Sequence, residues 1–377
     1  MAYSTIKDPS AHFQTALYTG NAGFNTITND GNSDLAPDLI WGKCRSTSKA
    51  HFWYDSTRGA EKRLESDNTG AEDTNTNGIL NFYTDGFRTA SGNTENDNGE
   101  TYVAWQWKAN GGTTTSVSAS GTGNGCVNAC THQANTTAGF SIITYTGRDD
   151  ELNNAHESKL THGLGVAPKL FICKRRDSAD DWFYMGGDQA SVRHGWYNGF
   201  LSLNDNDAVN GNHYVSNTEP DATHIFLGNE KVNIASATYV GYAFAEVQGY
   251  SKFGKYVANG SGTDDGTFNG TFVYTGFKPA WVMVKRASYS AGDGWEIWDS
   301  TRPSRGNIDA TNYINNKINA SSTGAESGNV YDAVDFLSNG FKLRTGRAGT
   351  NASGSTYVYM AFAENPFVAN GIPTTAR

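Results

Sequence analysis

Proline is scarce in this chain, with 8 residues in 377. Charge is thin as well: Asp, Glu, Lys and Arg make up 18% of the residues, below the usual quarter. The abundant Ala, Glu, Lys and Leu of a coiled coil are missing. No apolar run reaches the roughly 18 residues of a helical membrane span, so no membrane insertion is expected. Four cysteines, Cys44, Cys126, Cys130 and Cys173, do not make a disulfide framework at this length. A basic excess is absent too. The formal net charge of −9 argues against a sequence-independent nucleic-acid binder, whose affinity comes from neutralised phosphates. The first ten residues, from Met1 to Ser10, hold no apolar core of a secretory signal, so no export by that route is expected.

What is present is turn chemistry and rings. The chain has 43 Gly, 39 Thr and 37 Asn, and its aromatics comprise 9 Trp, 19 Tyr and 19 Phe. That aromatic content excludes a disordered chain, because rings supply the buried area that offsets ordering entropy. The composition fits an all-β protein with many short strands and Gly/Asn/Thr-rich turns. At roughly 100–200 residues per domain, two or three domains are expected.

Self-similarity organises the chain further. Tyr-Thr-Gly occurs at 18–20, 145–147 and 274–276. Pro, five residues and Lys follow in each case, at Pro37–Lys43, Pro168–Lys174 and Pro279–Lys285. An aromatic run comes next: Phe52-Trp53-Tyr54, Trp182-Phe183-Tyr184, and Trp295 to Trp298. The first and third copies continue identically as Asp-Ser-Thr-Arg, at 55–58 and 299–302. A fourth signal pairs Asp85-Gly86-Phe87 with Asn339-Gly340-Phe341, with a weaker counterpart at His224–Leu227. The last is Thr-Tyr-Val opening an apolar strand at 101, 238 and 356. The Pro markers are 131 and 111 residues apart and the Tyr markers 137 and 118, so order and spacing hold together. The resulting division is a docking segment at 1–12, repeats at 13–110, 139–248 and 249–377, and a Gly/Ser/Thr/Asn-rich linker at 111–138 with one short strand expected at Thr114–Val117.

Within each copy the Thr-Tyr-Val strand alternates, as a strand must. One face is large and apolar: Val103, Trp105, Trp107; Val240, Tyr242, Phe244; Val358, Met360, Phe362. The other is smaller, with Tyr102 and Ala104 in the first copy. The Pro-to-Lys segments are near-continuous apolar runs, as expected of central strands buried on both faces. Gly59–Ser66 and Thr311–Ser321 could each hold a turn or two of helix. The expected fold is therefore three tandem antiparallel β-sandwich repeats of jelly-roll type.

A resemblance is carried by Asp8-Pro9-Ser10 through Tyr18-Thr19-Gly20, Ala104–Lys108, Ser251–Tyr256, Thr275–Met283 and Ala361–Phe367. Over nearly its whole length the chain resembles a group of bacteriophage virion proteins frequent in marine phages. The resemblance implies concanavalin A-like sandwiches on the virion exterior, in a tail fibre, spike or capsid-surface decoration. It carries over no functional residues. A virion component assembled in the host cytoplasm and released by lysis also reconciles a surface-type composition with a chain lacking its own export signal. The expected function is a non-enzymatic, lectin-like structural protein that contributes to adhesion to host-surface glycans. Capsid decoration or head fibre protein is one alternative and polysaccharide depolymerase another. Expected partners are other virion proteins, further copies of the chain as a homo-oligomer such as a trimer, and host surface polysaccharide. No cofactor is expected.

Candidate sites follow from chemistry. Trp53, Tyr54, Trp182, Tyr184, Trp295 and Trp298 could stack on sugar rings if exposed; otherwise they form the inter-sheet core, where large aromatics usually sit. Asp97 and Glu100, Asp205 and Asp207, and Asp264 and Asp265 lie in acidic loops that could supply oxygens to Ca²⁺, although Asn, Asp and Gly are also ordinary turn residues. Cys126, Cys130 and His132 offer three soft ligands where structural zinc needs four, so free thiols or a local disulfide are expected. The basic strand ends, Lys43/Arg45, Lys174/Arg175/Arg176 and Lys285/Arg286, could meet an acidic neighbour or sit in water. No nucleophile elbow, zincin motif or phosphate loop is present, and no catalytic residue is assigned.

Overall fold

The computed structural model describes residues 4–91, 94–148, 157–186, 199–210, 218–228, 231–261, 269–288, 294–302, 313–328 and 333–366, with backbone alone at 368–369 and 372–373. The regular structure is almost entirely antiparallel strand, and the described helices are the single turns Pro9–Ala11 and Ala348–Asn351.

One four-strand order occurs three times. The first sheet runs Phe13–Thr19, Thr101–Trp107, Leu39–Cys44, Phe52–Asp55. The second runs Phe140–Thr146, Thr238–Phe244, Leu170–Arg175, Trp182–Gly186. The third runs Ser251–Val257, Thr356–Pro366, Phe277–Arg286, Glu296–Asp299. The registers agree: Lys43, Lys174 and Lys285 stand opposite Val103, Val240 and Val358.

Each sheet is covered by a smaller one. Asn25–Ile27, Gly86–Thr89 and Ile79–Tyr83 supply Ile27, Phe87 and Ile79 to a cluster with Ile40, Tyr54, Tyr102 and Ala104. Ser158–Thr161 and His224–Leu227 place Leu160, Ile225 and Leu227 against Phe171, Phe183 and Tyr239. Phe272–Tyr274, Gly340–Leu343, Val334–Leu337 and Tyr313–Ile314 complete the third layer pair around Val282, Trp298 and Tyr357. The turn glycine of the fourth signal is needed here. Gly86 has φ +105°, and a Cβ on it would lie 2.0 Å from the Ile27 carbonyl oxygen.

The sandwich interiors are thus built on the small face of the Thr-Tyr-Val strand. The large faces of all three sheets meet in one shared cluster, where Trp41, Trp53, Trp105 and Trp107 pack with Trp182, Tyr242, Phe244, Trp281, Trp295 and Phe362. Fully burying each such side chain contributes about 1.5–3 kcal/mol, so much of the apolar drive is spent between units. Residues 4–12 close one end of this cluster. Ile6 is buried within it, His12 packs edge-on against Tyr250 at 5.9 Å, and Phe13 stacks on Phe362 at 5.3 Å. The described part of this segment thus packs on its own chain.

Three expectations are corrected. The stretch 111–138 carries the expected short strand, at Thr115–Val117, but is not otherwise a free linker: Cys130–Asn135 pairs with that strand and both extend the edge of the second sheet. An edge strand needs backbone hydrogen bonds and only a few inward side chains, so a Thr/Ser-rich sequence can supply it. The segments considered for helix are strand and turn, with Lys62–Arg63 paired to Asp73–Thr74 and Asn316–Asn319 in the third sheet; residues 311 and 312 lie outside the described set. The third-copy equivalent of Tyr18 and Tyr145 is Tyr256, not Tyr274. Tyr18, Tyr145 and Tyr256 stack on Tyr102, Tyr239 and Tyr357 at 4.9, 4.9 and 5.1 Å.

Those tyrosines expose a motif that the sequence reading passed over. Asn96, Asn233 and Asn351, all buried, stand six residues before Tyr102, Tyr239 and Tyr357. The backbone N–H after each Asn donates to the second tyrosine's hydroxyl, at 3.0, 3.1 and 2.9 Å. The carbonyl before each Asn accepts from the first tyrosine, at 2.8, 2.8 and 2.6 Å. The asparagine amides bind neighbouring loops, as Asn351 Nδ2 does with the carbonyls of Ser261 and Thr345.

Candidate functional site

The six candidate glycan-stacking aromatics are all buried: Trp53, Trp182, Trp295 and Trp298 are at most 1% exposed, and Tyr54 and Tyr184 are at 0%. They are structural, and a saccharide cannot reach their faces. Tyr54 and Trp298 point into the first and third sandwiches, while the other four lie in the shared cluster. Trp53 meets Trp182 at 4.9 Å and Tyr184 meets Trp295 at 4.7 Å, each pair joining two units.

The same strands carry a polar seam that repeats around the molecule. Trp182 Nε1 donates to the Glu65 carbonyl at 2.8 Å, and Trp295 Nε1 to the Ser202 carbonyl at 2.8 Å. The first copy has His51 at this place. Its Nδ1 accepts from Trp41 Nε1 at 2.9 Å, which puts the proton on Nε2, and Nε2 donates to the Asn319 carbonyl at 3.0 Å. Four residues beyond each acceptor lies the target of a lysine. Lys174 Nζ reaches the Thr69 carbonyl at 3.2 Å, Lys285 Nζ that of Asn206 at 3.0 Å, and Lys43 Nζ that of Thr323 at 3.1 Å. The second unit thus grips the first, the third grips the second, and the first grips the third. Head-to-tail contacts that close in this way make a ring. The lysines of the basic strand ends sit at 0% exposure between units of one chain, whereas Arg175 is partly exposed and pairs with Asp177 at 2.6 Å. Burial lowers Lys43 and Lys174 to about 8.

Two seams add a buried charge network. Between the first and second units, Arg176 Nε and Nη2 bind Glu72 at 2.8 and 2.9 Å, and Glu72 also takes Arg58 at 3.1 Å. Arg58 in turn binds Asp55 at 2.5 Å, and Asp55 accepts from the Tyr242 hydroxyl at 2.8 Å. Between the third and first units the pattern is the same. Arg45 binds Glu326 at 2.8 and 3.1 Å, Glu326 takes Arg302 at 3.3 Å, Arg302 binds Asp299 at 2.6 Å, and Asp299 accepts from Trp105 Nε1 at 2.9 Å. Burial alone would raise the Glu72 and Glu326 carboxyls, but the flanking guanidiniums outweigh it and hold both below the ordinary value.

In the remaining seam the matching positions among the described residues are apolar or glycine. Backbone bonds from Glu72 N to Arg176 O and Glu326 N to Arg45 O are matched by Val209 N to Ala287 O at 3.0 Å. The Asp55 and Asp299 positions hold Gly186, and the Tyr242 and Trp105 positions hold Met360. Val209, Ala287 and Met360 belong to or pack on the shared cluster.

The acidic loops are bound up internally. Asp97 pairs with Lys49, Glu100 accepts from Ser46 and Thr47, and Asp205 accepts from the Asp207 N–H at 3.0 Å. Burial raises the Asp205 carboxyl. Asp264 and Asp265 lie outside the described residues. Among the described residues no group of three or more His, Cys, Asp and Glu could hold a metal ion. All four cysteines are free and buried, so Cys126 and Cys130 form no disulfide with each other. Burial raises the Cys130 thiol to about 11, a poor nucleophile at neutral pH.

Buried neutral histidines give the molecule an acid limit. His162 Nδ1 accepts from the Leu164 N–H at 3.1 Å and Nε2 donates to the Asp221 carbonyl at 3.1 Å. Burial lowers His162 to about 4, against weaker upward pulls from Asp221, and lowers His51 well below its ordinary value. A depressed folded pKa means that the stabilisation is complete above the unfolded value of about 6.5. It is lost as pH falls towards 4. For His162 alone the loss approaches about 3 kcal/mol, at roughly 1.4 kcal/mol per unit. Thermal unfolding from pH 7 to pH 5 is expected to show a falling midpoint, with a shallower fall in His162→Gln.

The geometry defines a class before any name: an all-β protein in which antiparallel sandwiches share one aromatic core and close on themselves through lysine-to-carbonyl seams. The chain belongs to the family described as Domain of unknown function (DUF7483), whose model matches residues 8–366. No curated protein and no solved structure matches it.

Proposed function

We propose that this chain is a non-catalytic structural protein on the exterior of a bacteriophage particle, where it contributes to contact with host-surface glycans. The observation that carries this reading is where the chain spends its chemistry. Seven of its tryptophans, its buried lysines and both arginine–carboxylate networks join its own units into a closed body. Such a body suits a rigid surface element better than an enzyme, which needs its perturbed groups in an open cleft. The resemblance to phage exterior proteins supports the same reading. The threefold arrangement that fibre proteins build from three chains is echoed here within one chain. The experiment is immunogold labelling of purified particles with antibody against the folded protein, with mass spectrometry of the same particles. Label on the tail or on the capsid surface is expected. Particles lacking the chain would overturn the proposal, and shortening of host polysaccharide by the purified protein would replace it with a depolymerase.

A further inference from the structure

The three seams differ at one further place, where the edge of one unit meets the Ala-Phe-Ala-Glu end of the preceding one. Thr15, Ile142 and Phe253 occupy the same register, opposite Trp105, Tyr242 and Met360. Between the first and second units, Ile142 is buried and belongs with Ala109 to the shared cluster. Between the second and third, Phe253 is buried and Glu246 is fully engaged, accepting from the Phe253 N–H at 3.0 Å and from Lys252 at 3.1 Å. Between the third and first units the position is open. A groove of about 250 Å³ runs there, lined by Phe13, Thr15, Asp30, Ser300, Glu364 and Asn365 among others. Among the described residues, Thr15 Oγ1 and Glu364 Oε2 are buried atoms with no hydrogen-bond partner, while Lys278 takes the other oxygen of Glu364 at 2.7 Å. Buried polar atoms are costly to leave unpaired, and the two here line one groove.

We propose that this groove binds one pyranose ring of a neutral surface saccharide, an inference that rests on the glycan-contacting reading above. The groove is smaller than the roughly 300–1,000 Å³ of drug-sized sites, which suits a single ring. The wall mixes acceptors at Asp30 and Glu364 with hydroxyls at Thr15 and Ser300 and an amide at Asn365, so a ring of hydroxyls can both donate and accept. Two carboxylates disfavour an anion, and Lys278 beside Glu364 weakens the pull on a cation.

Saturation-transfer NMR on the full chain, with the methyl glycosides of glucose, galactose, mannose and N-acetylglucosamine as probes, tests this directly. Transfer to at least one probe is expected, with affinity lowered about tenfold by Thr15→Val, which removes a hydroxyl, and by Glu364→Gln, which replaces an acceptor oxygen with an amide donor. Because the Thr15 hydroxyl has no partner among the described residues, T15V is expected to keep the unfolding temperature. Asp30→Asn, at an exposed position, serves if Glu364→Gln does not fold. Absence of transfer to all four probes, or transfer unchanged in the variants, overturns the inference. Particle labelling is read independently, so failure of the saccharide site and failure of the virion assignment are distinguishable.

Discussion

Trp295→Ala is expected to remove about 3–5 kcal/mol of stability, a large share of the roughly 5–15 kcal/mol available to a folded domain. The ring is at 0% exposure, packs on Tyr184 at 4.7 Å and carries the donor for the Ser202 carbonyl. Truncation opens a cavity between the second and third units and strands that carbonyl. Loss of soluble protein, or a urea midpoint shifted far down, is the expected reading. Trp295→Phe keeps most of the ring and loses the hydrogen bond, so a smaller loss of about 1–3 kcal/mol is expected. A Trp295→Ala protein that unfolds at the parent urea concentration would contradict the burial of this face.

The charged seams lead to the second prediction. Arg302→Met leaves Asp299 and Glu326 buried without their shared cation, and breaking such a pair costs about 3–5 kcal/mol. Arg45→Ala should destabilise as well, since it strips Glu326 of its bidentate partner. The molecule also contains its own apolar solution to the same geometry, Val209 against Ala287. The double variant Arg45→Ala/Glu326→Val copies it. It is expected to recover most of the loss, because replacing a buried ion pair by apolar residues is often neutral or stabilising. Denaturant midpoints for the two singles and the double make a cycle that measures the coupling. Strictly additive losses would show that the seam does not act as a unit.

How much of this could be read from residues alone follows from the physics of each feature. Strands were legible because alternation has a period of two, as Val103, Trp105 and Trp107 show against Tyr102 and Ala104. The recurring order was legible because Pro, Lys, aromatic and Thr-Tyr-Val signals keep their sequence. What covers a large apolar face was not legible, since Trp105 looks the same whether its own second layer or another unit lies over it. The lysines were recognised as strand ends, but Lys43 finds its carbonyl at Thr323, 280 residues away. The buried asparagines did leave a signal, a fixed Asn-to-Tyr spacing in every copy, which the apolar pattern overshadowed. The open groove left none, because Thr15 and Glu364 look like ordinary strand and strand-end residues.

Ring closure has a consequence for how the chain is made. Arg45 waits for Glu326, 281 positions later. While it emerges from the ribosome, the N-terminal portion has Trp41, Trp53, Trp105 and Trp107 synthesised long before the last partner sheet exists. Contacts of such long sequence separation form slowly, and uncovered rings invite association between nascent chains. Synthesis of this protein should therefore lean on holding chaperones until its final hundred residues arrive.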